Sequence, residues 1–149
     1  MKPLLAAIAL LAATPALADP FTVQPDLIIS ARQTSFYLSA GVFGGFKGAV
    51  ASGADVKQLA DGAGALAEWA GLLTSLFPPG TDKGHDTKAL PKIWTDTAGF
   101  QKAAGNFETA AKSLEAAAKA GDKAAFAAAF KQTGKACGAC HKAYRAKED

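Results

Sequence analysis

Apolar residues recur every three or four positions along four stretches of the chain. Ile29, Phe36, Ala40, Phe43 and Val50 fall near one face of a first predicted helix. Pro25 suits its first turn, where the missing N–H costs nothing. Val56, Leu59, Ala63, Leu66, Ala70, Leu73 and Phe77 alternate steps of three and four, a seven-residue rhythm, with Asp55 placed to cap them. Phe100, Ala103, Phe107, Ala110, Leu114 and Ala117 repeat that rhythm after "WTD", where Thr95 is placed to cap. Gly121 then ends one helix and Asp122 caps a fourth, whose stripe runs through Phe126, Phe130 and Thr133. No strand signal interrupts this. The connections "ASGAD" and "AGD" are short and make antiparallel neighbours. The longer "PPGTDKGHDTKALPKIW", with Pro78, Pro79 and Pro91, crosses between helix pairs. The pattern predicts an all-α chain folded as an antiparallel four-helix bundle; a looser α array fits the heptad steps less well.

Composition agrees, since alanine is abundant and β-branched residues are scarce. Gly41, Gly44, Gly45 and Gly48 stand out in the first helix. Each costs about 1 kcal/mol relative to alanine in a helix interior. Two readings compete: close approach of another helix, in the bundle or in a homodimer, or a tolerated kink.

The first eighteen residues read as a cleaved secretory signal. Lys2 precedes an apolar run from Leu4 to Ala13, and Ala16-Leu17-Ala18 supplies small residues where a signal peptidase cuts. That run is short of the roughly 20 residues a membrane span needs. Residues 19–149, starting at Asp19, have the size of one domain. The expected location is a bacterial periplasm, without membrane insertion. Sixteen basic and 13 acidic residues give a net charge of +3. That near-balance points to neither nucleic acid nor a membrane surface. Lys131, Lys135, Lys142, Arg145 and Lys147 form a basic C-terminal end, read as a solvated helix end that complements the dipole.

Candidate chemistry is concentrated in "KACGACHKAYRAKED". Cys137 and Cys140 are the only cysteines, and His141 is one of two histidines. A redox disulfide of the thioredoxin kind sits between a strand and a helix start, whereas this pair lies late in a helix. Zinc wants four ligands, and only His85, in a loop, remains to supply the fourth. C-x-x-C-H is the signature of covalent c-type haem attachment, with two thiols adding to vinyl groups and His141 coordinating iron. On a helix, 137, 140, 141 and 144 continue the stripe of Phe126, Phe130 and Thr133, so the core-facing side becomes the haem-bearing side. One covalent haem c is therefore expected.

The motif's C-terminal place, inside a four-helix pattern, resembles the class II cytochromes c, the cytochrome c′ group in particular. The resemblance spans the mature chain through "ARQTSF", "LFPPGT", "IWTDTAGF", "AGDKAAF" and "CGACHKAYR". It implies a left-twisted bundle with haem between the helices. It also implies His141 as proximal ligand, Arg32 and Gln33 near the propionates, Arg145 beside the proximal face, and Phe36 facing iron from the other side. A homodimer through the first two helices is the family's precedent.

Low-spin relatives use a first-helix methionine as second ligand. Met1 is the only methionine here and leaves with the signal, so five-coordinate, high-spin iron is expected. His85 reads as a solvated loop residue, and Trp69, Trp94 and Tyr144 as packing residues, with Trp94 near the haem edge. These residues support binding of small diatomic gases, nitric oxide and carbon monoxide, with one-electron Fe(III)/Fe(II) transfer to periplasmic redox partners. A dedicated electron carrier is the alternative. A peroxidase is disfavoured, since no distal His or Arg adjoins Phe36 to cleave an O–O bond.

Overall fold

A computed structural model describes residues 23–147. The expected signal segment, Met1 and Asp19 lie outside them. Four long helices carry the fold: α1 (Pro25–Ser52), α2 (Ala60–Leu72), α4 (Thr97–Ala120) and α5 (Lys123–Tyr144), with a single-turn α3 (Lys92–Thr95) in the long connection. Helix α4 is the centre of the bundle, packed along both α2 and α5, while α1 meets α2 and α5 at fewer points. No strand forms among the described residues; one isolated antiparallel bridge joins Ala89 and Arg145.

The ends follow local chemistry. Pro25 opens α1, and Gly53 closes it in the left-handed region (φ 64°), its N–H reaching Ala49 O. Asp55 accepts from Lys57 N, and Asp122 accepts from Ala125 N. Gly121 (φ 72°) ends α4 by donating to Ala117 and Ala118 carbonyls.

The heptad positions of the second and third predicted helices are buried or half-buried throughout, with Leu66, Leu73, Phe107 and Leu114 deep in the core. Three details differ from the pattern. The second helix is not continuous: 3-10 turns at Val56–Leu59 and Leu73–Leu76 flank α2 and tuck Val56 and Leu73 inward. Asp96, not Thr95, caps α4. The Asp96 carboxylate accepts from Gly99 N at 3.1 Å and from the Tyr144 hydroxyl at 3.0 Å, while Thr95 belongs to α3 and bonds back to Pro91 O. A Cβ at Gly99 would push aside the Asp96 carboxylate and the Tyr144 hydroxyl. In α1, Phe46 is buried and Ala40 exposed, since a methyl is too short to reach across where the neighbouring rings do.

The α1 glycines settle one question. A Cβ at Gly41, Gly44, Gly45 or Gly48 would meet nothing within 4 Å, so among the described residues no helix approaches them. Helix α1 runs unbroken past all four.

Candidate haem site

His141 projects from the last turns of α5 toward α1, where its imidazole faces the Phe36 ring at 6.4 Å between centroids, tilted by 60°. Around Phe36 stand Trp69, edge-to-face at 4.9 Å, and Phe77 at 6.2 Å. Cys137 lies one turn before His141 and Cys140 directly before it, both free, half-buried and packed against the core. Burial pushes the Cys137 thiol up to about 11, and desolvation also raises Cys140. Both are therefore neutral thiols at physiological pH. Cys140 opens onto a cleft of about 250 Å³ between α4 and α5, whose lining includes Ala103, Ala136 and Ala143. Cys137, Cys140 and His141 do not converge on one point: among the described residues no three such side chains are placed to hold a metal ion by themselves.

Helix α1 is tied down beside the site by Arg32. Its guanidinium is buried and makes four bonds at 3.0–3.2 Å, to Leu76 O, Thr81 Oγ1, Thr81 O and Thr87 Oγ1. It also lies over the Phe77 ring at 4.4 Å. Desolvation draws its pKa down, and the acceptors around it are all neutral. Arg32 thus pins the 76–87 connection to α1, a structural duty that its spacing from Phe36 did not announce. Gln33 Nε2 donates to His85 O at 3.2 Å, which fastens the same loop. His85 itself is exposed, at φ 47°.

Trp94 packs edge-to-face on Phe77 at 6.2 Å. Its indole donates to Phe77 O and Pro78 O, securing the end of the second helical segment. Tyr144 is buried, bonded to Asp96 and packed on Phe100 at 5.3 Å. Arg145 is exposed, with its backbone held by Ala89 across the bridge. Leu90 N donates to Tyr144 O, and Ala146 N to Lys88 O, strapping the chain end to the long connection.

With this geometry in hand, the sequence model of the family described as Cytochrome C′ matches residues 27–145. The chain belongs to the cytochrome c′ family. It is 41% identical over 127 residues to the cytochrome c′ of Rubrivivax gelatinosus, covering 83% of this chain and 98% of that one. Against the cytochrome c′ of Alcaligenes xylosoxydans xylosoxydans it is 35% identical over 127 residues, covering 84% and 98%. Among solved structures, a nitric oxide complex of a cytochrome c prime mutant from Alcaligenes xylosoxidans superposes with a TM-score of 0.77 at 35% identity. It covers 84% of this chain and 98% of that one. A carbon-monoxide-bound variant of the same cytochrome superposes at 0.76, with 36% identity over 83% and 98%.

A cytochrome c′ carries haem, and the residues here fit one. A flat ring system between Phe36 and His141 would need about 7 Å of van der Waals spacing, reduced on the side where a nitrogen binds iron. The observed 6.4 Å agrees. The large interplanar angle agrees too: a ligating imidazole stands edge-on to the ring it binds, while a covering phenyl lies flatter. His141 would supply an imidazole nitrogen, and the free thiols of Cys137 and Cys140 would each supply a sulfur for a thioether bond to a vinyl group. Phe77 emerges as the residue sequence reading undervalued. Seen only as the last heptad position, it is the ring that joins Arg32, Phe36, Trp94 and Phe100.

Proposed function

We propose that this chain is an exported, periplasmic cytochrome c′ holding one haem c covalently through Cys137 and Cys140, with His141 as the single axial ligand. Its task is to bind nitric oxide or carbon monoxide and to exchange one electron with periplasmic redox partners. The observation that carries this reading is Phe36, an apolar ring opposite His141. It supplies no ligand to iron and must move aside for a small uncharged molecule to enter. Complexes of similar cytochromes with both gases support the choice of ligand. Gln33 and Arg145 flank this arrangement, and Arg32 would meet a propionate only by sharing its present acceptors. The same commitment argues for a binder rather than an enzyme. Arg32, one turn from Phe36, spends its guanidinium on protein oxygens instead of aiming it at the open side.

A homodimer is part of the proposal. Leu27, Leu38 and Val42 are exposed on α1, and Leu72 on α2. The α1 residues share a face with Gly41 and Gly45, whose surroundings in this chain are open. An apolar, small-residue stripe of this kind suits a second copy packed α1 to α1.

An optical spectrum of the reduced protein, with and without nitric oxide, tests the reading. Five-coordinate iron gives a broad ferrous Soret band, without sharp α and β bands, that changes when nitric oxide is added. Sharp low-spin bands insensitive to the gas would instead make the chain a dedicated electron carrier.

A further inference from the structure

Two tryptophans pack around Phe36 and Phe77, and their indole N–H groups fare differently. Trp94 Nε1 has two carbonyl acceptors, at 3.1 and 3.2 Å. Trp69 Nε1 is buried and has no protein acceptor, the only buried side-chain nitrogen or oxygen so placed among the described residues. A buried donor without a partner bears its whole desolvation penalty. In native structures such an atom marks an ordered water, another partner outside the chain or a task.

Its position gives the task. Trp69 meets Phe36 edge-to-face at 4.9 Å and 87°, and Phe107 at 5.9 Å and 82°. Phe36 in turn faces His141. The indole therefore stands behind the ring that covers the open side of the haem. Its neighbours there are aromatic, and an N–H directed at an aromatic face is a weak substitute for an oxygen acceptor. In surroundings of low polarity a single donor acts strongly on whatever acceptor reaches it.

We propose that Trp69 Nε1–H is the hydrogen-bond donor of the gas pocket, given to the outer oxygen of a diatomic ligand when Phe36 turns aside. The inference rests on the haem reading above. It makes the pocket selective as well as apolar, favouring ligands whose outer oxygen carries more negative charge.

Infrared spectra of the carbonyl complex test this, measured first on the wild-type protein and then on Trp69→Phe. Loss of the donor should move the C–O stretch to higher wavenumber. Carbon monoxide should also leave about threefold to tenfold faster, the effect of one neutral hydrogen bond. The wild-type stretch should shift between H2O and D2O, and the variant's should not. An unchanged stretch and rate in a haem-loaded variant overturns the proposal, as does an isotope shift that survives in Trp69→Phe, which would make water the donor. If Trp69→Phe fails to load haem, the same comparison is made with Trp69→Leu, and an absent isotope shift in the wild-type protein overturns the proposal whatever the variants do. Wild-type protein without a carbonyl band sinks the haem reading itself, a result recognisable before any variant is made.

Discussion

Phe36 holds two contacts at once, Trp69 on one side and the His141 direction on the other. Truncating it removes the cover without touching Arg32 or Cys137. Phe36→Ala should therefore bind carbon monoxide faster with the spin state unchanged. Equal rates in stopped-flow mixing would mean that another group limits entry. The cysteines make a second residue-scale expectation. In haem-free folded protein, burial holds Cys137 at about 11, above the usual 9.0. Because the thiolate is the nucleophile, its alkylation at pH 8 should lag behind that of the unfolded chain and quicken as pH climbs toward 11. The folded state then keeps a proton the unfolded state releases, so this contribution to stability is complete below pH 9 and is lost through pH 11. In haem-loaded protein neither thiol should react; alkylation of both would reject covalent attachment.

At the scale of elements, α1 differs from its neighbours. It buries only Ile29, Arg32 and Phe46 over 28 residues, whereas α4 buries a full heptad stripe. Its outer side keeps Leu27, Leu38 and Val42 exposed beside open glycines. Leu38→Lys should turn a dimer into a monomer in sedimentation experiments while leaving the haem spectrum intact. A wild-type monomer, or a dimer indifferent to Leu38→Lys, would remove the proposed interface. The glycines show what spacing alone leaves open. Their helical positions were legible, but whether another helix lay against them depended on where the bundle placed its partners. The α4 cap, expected at Thr95 and found at Asp96, was an equally local question. Both residues can cap, and the choice went to Asp96 because Tyr144, from the far end of the chain, also bonds its carboxylate.

For the whole molecule, the sparse seating of α1 links haem to folding. Phe43 stacks on Phe130 at 4.4 Å near one end, and Arg32 clamps the other. Between them Phe36 and His141 face one another across the proposed haem position. A group that binds only the folded state stabilises it. Removing haem should therefore raise hydrogen exchange in α1 well above that in α4, because α4 keeps its packing on α2 and α5. Equal protection of the two helices in haem-free protein would show that α1 needs no haem to stay docked.

The sequence by itself determined the helix faces, because a 3.6-residue period and a core admit only one inward side, as at Leu66, Phe107 and Leu114. It also pointed to the haem attachment proposed for Cys137, Cys140 and His141, because that spacing on one stripe of a helix has few uses. Only the tertiary structure decided the partners of the polar side chains. Arg32 reaches Thr81 and Thr87 across some fifty residues of chain, and Trp69 is left without an acceptor while Trp94 finds two. Hydrogen bonds are directional and short, so their making depends on positions that distant segments reach together. Burial of an apolar stripe has no such direction and can be read residue by residue.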